Sequence, residues 1–333
     1  MRLFVVVLER GSSVANYDVF NGDADGICAL AQWRLAHPAE SHLVTGVKRD
    51  IALVSQVPTN AQHEVTALDI SFDKNRDDVE RLLAAGSRVF YCDHHFAGDI
   101  PDHPNLTTVI NPAPEVCTAL LINGVLKGAY ADWAVVGAFG DNLHKSAQVL
   151  GKTLNLNHDA LDLYESLGLY LNYNGYGPSL EDLYYHPMDL YRAVVQCASP
   201  MAFVQEQKLV FDTLADGYQS DMSEASALVP EIATEHYAIY RLPNAAWARR
   251  VSGVFSNSLV EDNPDRAHAI LTDLGDDHSL VSVRAPLNRR EGADTLVRQF
   301  PTGGGRAAAA GINRLAEADV PRFIEALAKI YER

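Results

Sequence analysis

The sequence lacks the features of membrane and secreted proteins. No apolar run approaches the roughly 18 residues that a membrane-spanning helix needs. The four cysteines, Cys28, Cys92, Cys117 and Cys197, show no CxxC spacing, which excludes a zinc ribbon and a disulfide scaffold. The apolar segment Arg2–Leu8 is too short for a signal peptide and has no small-residue cleavage site, so it predicts a β-strand. We therefore expect a cytoplasmic protein with no membrane partner.

Basic residues are also scarce. The chain has 27 Lys+Arg against 43 Asp+Glu, a net charge of −16. Long nucleic acids are held by neutralising many phosphates with Lys and Arg. The balance therefore argues against long duplex DNA as a partner, whereas clustered aspartates can serve metal ions.

The length of 333 residues and a hydrophobic content of 47% favour two globular domains. Strand-like and helix-like segments alternate up to Ile110, which predicts an α/β fold with a parallel, doubly wound sheet. Residues 118–211 are mostly helical and complete a first domain over 1–211. The polar stretch 212–230 is the candidate linker. Residues 231–333 predict a second, smaller α/β domain.

Acidic and histidine side chains stand where predicted strands or helices end: Asp23, Asp25, Asp69, Asp93, His94, His95 and Asp141. Singly, an Asp after a strand is usually a helix cap or a turn former. The carboxyl ends of parallel strands share one edge of a sheet, however, and that edge is where ligands bind. Several carboxylates there repel one another unless a cation holds them. Oxygen ligands with one imidazole suit Mn²⁺ or Mg²⁺ better than zinc.

These residues also carry a family resemblance. Asn21-Gly22-Asp23-Ala24-Asp25-Gly26, Asp69, Asp93-His94-His95 and Gly140-Asp141 resemble the ordered motifs of the DHH phosphoesterase superfamily. That superfamily includes the RecJ exonuclease, nano-RNases, cyclic-dinucleotide phosphodiesterases and family II pyrophosphatases. Gly303–Gly311 resembles the glycine signature of the DHHA1 domain. The resemblance implies an N-terminal DHH domain followed by a C-terminal DHHA1 domain.

The resemblance also implies residue roles. Asp23 and Asp69 would hold one Mn²⁺ ion, and Asp69 would bridge to a second ion, with Mg²⁺ as an alternative metal. The ligands implied for the second ion are Asp25, Asp69, His94 and Asp141. Asp93 would orient the histidines, and His95 would face the scissile phosphate. Asn21 departs from the family's usual His or Asp near the first motif, and it could donate only a neutral carbonyl oxygen.

The substrate-binding residues are expected near the other end of the chain. Gly303, Gly304 and Gly305 would let backbone N–H groups approach a phosphate, and Arg306 stands where the family has His. Arg284 resembles the domain's phosphate-contacting Arg, although a surface cation is an equal alternative. Asn257 could bond a base or ribose edge. Tyrosines are dense between Tyr164 and Tyr191, and most of them are expected to pack. Two in a polar loop are candidates for base stacking: Tyr173 and Tyr176.

The resemblance predicts a metal-dependent phosphodiesterase or exoribonuclease, and the net charge argues against long nucleic acids as its substrates. It would hydrolyse very short oligonucleotides, such as the linear dinucleotide pGpG or nano-RNA, by two-metal activation of water. Three alternatives stay open: a phosphatase acting on 3′-phosphoadenosine 5′-phosphate, a cyclic-dinucleotide phosphodiesterase, and a nucleotide-binding protein with weakened catalysis. A homodimer is also left open.

Overall fold

The computed structural model describes residues 14–332. The strand predicted over Arg2–Leu8 lies outside the described residues. The chain divides into two compact units. The first comprises residues up to Gly175 together with Tyr185–Phe211, and the second comprises Tyr176–Tyr184 together with the chain from Asp212. Within the described residues, no helix is long and apolar enough to cross a membrane.

The first unit contains a five-stranded, wholly parallel sheet with the order β2-β1-β3-β4-β5. Its strands and the two helices between them are β1 (Ala15–Phe20), α1 (Ala24–Ala36), β2 (His42–Val44), β3 (His63–Leu68), α2 (Phe72–Ala84), β4 (Arg88–Asp93) and β5 (Leu106–Ile110). This confirms the predicted parallel α/β arrangement. A short 3₁₀ turn lies at Val54–Gln56.

The two faces of this sheet are covered by different helices. Helix α2 places Val79, Leu82 and Leu83 at helical spacing against strand residues such as Val65 and Tyr91. Helix α1 is buried along most of its length and packs against β1 and the helices that follow the sheet. The helices that follow the sheet are α3 (Thr118–Val125), α4 (Ala131–Gly140), α5 (His144–Thr153), α6 (His158–Asn174), α7 (Pro187–Val195) and α8 (Pro200–Glu206). Of these, α3, α4, α6 and α7 pack against α1.

The register of the parallel strands sets the carboxyl edge of the sheet. Phe20 at the end of β1 is level with Leu68 at the end of β3, and Leu68 is level with Cys92 in β4. The residues that follow these three therefore emerge side by side. They are Asn21, Asp69 and Asp93.

The stretch predicted as a linker, 212–230, is mainly helical. Most of it belongs to helix α9 (Lys208–Ser226), which ends before an irregular segment. The polar composition hid a helical face, because Leu214, Gly217, Asp221 and Ala225 are buried. Their spacing of three to four residues is typical of a helix with one packed side.

The second unit contains a six-stranded mixed sheet with the order β10-β11-β9-β8-β7-β6, in which only β7 and β8 are parallel. Alternate residues of β8 enter two apolar clusters, with Ala269 and Leu271 on one side and Ile270 on the other. A short 3₁₀ turn, Glu317–Asp319, precedes the last helix. The elements are β6 (Ile232–Ala233), β7 (Tyr237–Leu242), α10 (Ala246–Asp262), β8 (Ala267–Asp273), β9 (His278–Arg284), α11 (Ala293–Val297), β10 (Gly303–Gly305), β11 (Ala309–Ala316) and α12 (Val320–Tyr331).

Candidate metal centre

The loop between β1 and α1 places two aspartates at the carboxyl edge of the first sheet. Asp23 is the N-cap of α1, and its Oδ1 accepts a hydrogen bond from the backbone N–H of Gly26 at 3.1 Å. A Cβ on Gly26 would lie 2.2 Å from the carbonyl oxygen of Asn21, so only glycine fits this tight turn. The turn thus fixes Asp23 and the buried Asp25 in place.

Asp25 is held from the opposite side by the start of α3. Its two carboxylate oxygens accept the backbone N–H groups of Thr118 at 2.8 Å and Ala119 at 2.7 Å. These are N–H groups that a helix leaves without an intrahelical partner. The carboxylate is therefore rigid before any ligand arrives.

Asp69 follows β3 with a left-handed backbone, at φ 59°. The hydroxyl of Thr118 donates to its Oδ1 at 3.1 Å. Burial, followed by the charges of Asp25, Asp23 and Asp141, raises the pKa of Asp69 well above its usual range. A buried carboxylate in this environment is strongly disfavoured without a cation.

His94 stands at the centre of the carboxylates. Its Nδ1 lies 2.9 Å from the carbonyl oxygen of Val116, which can only accept, so Nδ1 carries a proton and donates. Nε2 therefore faces the carboxylates, at 3.5 Å from Asp69, 3.8 Å from Asp141 and 3.9 Å from Asp25. Burial and the charge of Asp25 raise the pKa of Asp141 to about 6.

This donor set fits a divalent cation. The ligand atoms of Asp25, His94 and Asp141 lie within 4.8 Å of one another, as do those of Asp69, His94 and His95. Three carboxylates and one imidazole are the chemistry that Mn²⁺ and Mg²⁺ accept. Burial and the neighbouring carboxylates raise the pKa values of Asp69 and Asp141, and a bound cation would offset both effects.

Asp93 contacts one histidine of its motif. Its Oδ1 accepts a hydrogen bond from Nδ1 of His95 at 2.7 Å, whereas His94 is oriented by Val116. Burial alone would lower the pKa of His95, but the hydrogen bond and charge of Asp93, with the charges of Asp25 and Asp23, together raise the pKa. Asp93 therefore favours the protonated form of His95.

Lys48, which belongs to none of the sequence motifs, contacts the first motif. It lies in the loop after β2, and its ammonium group forms an ion pair with Asp23 and a 3.0 Å hydrogen bond with Oδ1 of Asn172. Burial would raise the pKa of Asp23, but the charge and hydrogen bond of Lys48, together with hydrogen bonds from Gly26 and Asp69, lower it by more, and the net effect lowers the pKa. The sole signal in the sequence is that Lys48 follows a strand next to β1.

Asn21 is buried, and both the oxygen and the nitrogen of its side-chain amide form hydrogen bonds. Its oxygen accepts the backbone N–H of Asp23 at 3.2 Å, and its nitrogen donates to the carbonyl of Lys48 at 3.2 Å. Asn21 therefore braces the two loops that carry these residues.

The triple glycine of the second unit is a strand. Gly303–Gly305 form β10, an edge strand paired antiparallel with β11, and not the open phosphate-binding turn expected from the sequence. A Cβ on Gly303 would lie 1.8 Å from the carbonyl oxygen of Val297, so close packing requires glycine there. Arg306 begins the turn between β10 and β11 and is exposed. Among the described residues, no carboxylate lies within ion-pair distance of it.

Arg284 and Asn257, both predicted substrate-binding residues, contact each other. Nε of Arg284 donates to Oδ1 of Asn257 at 2.9 Å, and Nη1 donates to the hydroxyl of Ser282 at 3.1 Å. Burial lowers the pKa of Arg284, and no carboxylate of residues 14–332 forms an ion pair with it. A half-buried guanidinium with neutral partners remains able to bind an anion.

One of the two tyrosines expected to stack bases does not meet that expectation. Tyr173 belongs to α6 and its side chain is fully buried, because the helix continues through the segment taken for a loop. Tyr176 is partly buried.

The fold of the chain is similar to that of several solved structures. No family model and no curated protein sequence matches it. A RecJ exonuclease bound to manganese is 17% identical, with a TM-score of 0.63 over 96% of this chain and 90% of that one. RecJ from Thermus thermophilus in complex with Mn²⁺ is 19% identical, with a TM-score of 0.61 over 95% of this chain, which spans 51% of that protein.

A third similar structure is the pGpG-specific phosphodiesterase PggH from Vibrio cholerae. It is 14% identical, with a TM-score of 0.55 over 95% of this chain and 98% of that one. RecJ and PggH are members of the DHH superfamily. The likeness extends over both units and agrees with the resemblance carried by the motifs, and the chain has the fold of RecJ and PggH.

Proposed function

We propose that the protein is a metal-dependent phosphodiesterase that hydrolyses very short oligonucleotides. One observation carries the proposal. Nε2 of His94 lies within 3.9 Å of three carboxylates contributed by separate segments, Asp25, Asp69 and Asp141. Such convergence has no evident structural benefit, because like charges in a buried site destabilise the fold. A metal-dependent reaction accounts for it.

The residues divide between metal and phosphate. Asp25, Asp69, His94 and Asp141 would hold Mn²⁺, which when bound supplies a Lewis acid that activates water and offsets charge on the phosphate. His95 lies beside this group, and its raised pKa supplies a donor to a phosphate oxygen. Asp93 keeps the ring of His95 in position through its 2.7 Å hydrogen bond.

The second unit supplies candidate phosphate contacts. Arg284 is half-buried and bonded to neutral groups, and Arg306 is exposed beside the glycine strand. We expect Arg306→Ala to raise KM for phosphorylated dinucleotides with a smaller change in kcat, because a group that holds a terminal phosphate contributes mainly to binding. An unchanged KM would assign Arg306 a structural role.

The charge of the chain supports a short substrate. A net charge of −16 disfavours the many phosphate contacts that a long strand requires. PggH is specific for pGpG, and a linear dinucleotide is the substrate class that we extend to this chain. A nucleotide-binding protein with weakened catalysis is the second candidate, because Lys48 already neutralises Asp23.

The test is a length series. Purified protein with Mn²⁺ is incubated with end-labelled RNA of two to twenty-four nucleotides, with cyclic dinucleotides and with 3′-phosphoadenosine 5′-phosphate. We expect rates that are highest on dinucleotides and fall steeply with length. The matched control is His94→Gln, which should abolish turnover while binding of substrate to the second unit persists. Equal rates on dimers and long strands would contradict the short-substrate proposal, and retention of uncleaved ligand would favour the binding protein.

A further inference from the structure

The ion pair between Lys48 and Asp23 affects how many metal ions the site can hold. We infer that the ammonium group of Lys48 takes the place of a second cation beside Asp23, so that the chain binds one divalent ion. The ion would lie among Asp25, Asp69 and Asp141, with His94. The inference rests on the proposed function, because it concerns the metal centre of the same site.

Lys48 is held firmly where it stands. Its ammonium contacts the carboxylate of Asp23 and the side-chain oxygen of Asn172, and its backbone N–H donates to the carbonyl of Gly175 at 2.9 Å. Its backbone carbonyl accepts from Asn21 at 3.2 Å. The backbone N–H, the backbone carbonyl and the ammonium group of Lys48 are thus all held by other residues, which fixes the position of the ion pair.

The oxygens of the first motif are already engaged. Oδ1 of Asp23 accepts the N–H of Gly26, Oδ2 contacts the ammonium of Lys48, and the oxygen of Asn21 accepts the N–H of Asp23. A divalent ion placed on Oδ2 would lie next to an ammonium group and would be repelled by it. Asn21 adds no negative charge to compensate.

The carboxylates of Asp25, Asp69 and Asp141 differ from that of Asp23 in their charged partners. Among residues 14–332, the partner within ion-pair distance of Asp25, Asp69 and Asp141 is His94, whose Nε2 is itself a metal donor. No lysine or arginine of these residues forms an ion pair with the three carboxylates. Lys48 forms its ion pair with Asp23, and its charge acts on Asp141 only from beyond ion-pair distance. The three carboxylates around His94 therefore still require an ion.

The test counts manganese in full-length protein. Wild-type chain, Lys48→Met and Lys48→Gln are saturated with Mn²⁺, desalted and measured for metal per chain. Isothermal titration and electron paramagnetic resonance then report affinity and coupling between neighbouring Mn²⁺ ions. Lys74→Met is the matched control, because Lys74 is an exposed surface lysine. Methionine keeps the apolar stem of lysine, and glutamine provides a second neutral variant should the first fold poorly.

We expect one Mn²⁺ per chain in the wild type and in Lys74→Met, and two in the Lys48 variants. The second ion should bind the variants at least ~100-fold more tightly than the wild type, and its resonance should show coupling to the first. Adding Asp23→Asn to Lys48→Met should return the count to one. Two ions in the wild type, or one in every Lys48 variant, would overturn the inference. A count of zero in the wild type would instead refute the metal centre of the proposed function.

Discussion

Replacing Asp141 by Asn should stabilise the protein without metal and weaken its hold on Mn²⁺. The pKa of Asp141 is raised from 3.8 to about 6 by burial and by Asp25. At 1.36 kcal/mol per pKa unit, the ionised carboxylate destabilises the fold by about 3 kcal/mol. Repulsion by Asp25 is part of this cost, since the donor atoms of Asp25 and Asp141 lie within 4.8 Å of each other.

The sign of the pH dependence follows. Below pH 3.8 the carboxyl group is protonated in the folded and in the unfolded chain, and it costs nothing. Between that value and pH 6 the folded chain retains a proton that the unfolded chain releases, so stability falls as the pH rises. The full penalty applies above the folded pKa. The amide of the Asp141→Asn variant cannot ionise, so the advantage of the variant grows over the same interval.

The assay is urea unfolding in the presence of EDTA at about pH 7.5 and about pH 5. Fluorescence of Trp33 and Trp133 in a Trp247→Phe background reports on the first unit. We expect Asp141→Asn to gain about 3 kcal/mol at the higher pH and roughly half of that at the lower pH. The control Asp102→Asn, at an exposed position, should change stability by less than about 0.5 kcal/mol.

Excess Mn²⁺ should reverse the order of stability. A ligand at 1,000 times its Kd stabilises the folded state by about 4.1 kcal/mol, which exceeds the advantage of the variant, and the variant, having lost a carboxylate donor, gains less. If the variant is no more stable than the wild type in EDTA, the carboxylates do not repel one another and the arrangement proposed for the metal centre is wrong.

Three further predictions follow from other parts of the molecule. Asp93→Asn should move the alkaline limb of the pH–activity profile to lower pH, because the pKa of His95 falls when the charge of Asp93 is removed. Arg284→Ala should raise KM for a phosphorylated dinucleotide by about 10- to 150-fold, the equivalent of 1.5–3 kcal/mol, with a smaller effect on kcat in steady-state kinetics. His268 is buried with its pKa lowered from 6.5 to about 4, so its contribution to stability is lost as the pH falls through that interval. His268→Gln should remove roughly 3 kcal/mol of this pH dependence in urea titrations, whereas His158→Gln, at an exposed position, should leave it unchanged.

The acidic cluster was predictable because it depends on local rules. A strand that ends in Asp, within a parallel sheet, presents its carboxylate at a known edge, and the register places Asp69 and Asp93 level. The proposed ligand His94 directly follows Asp93 at the end of β4. What the sequence did not indicate is how Asp25 is braced, since the N–H groups of Thr118 and Ala119 lie more than ninety residues away in the chain.

The second unit was less predictable for two physical reasons. Gly303–Gly305 have no side chains to show the alternation of a strand, and the need for glycine comes from the carbonyl of Val297, which only tertiary packing brings near. The buried face of α9 over 212–226 has one large apolar residue, Leu214, and otherwise small or polar residues, including Asp221. Composition alone reads such a segment as a linker.

The position of Lys48 could not be predicted from the motifs. A motif states which groups can donate to a metal, and Asp23 is such a group. The number of ions depends also on which donors are already compensated by charges from outside the motif. Lys48 reaches Asp23 from the loop after a three-residue strand, a contact that depends on the packing of neighbouring loops. Asp23 is therefore compatible with a site for one ion and with a site for two ions. Lys48, twenty-five residues further along the chain, determines which of the two forms.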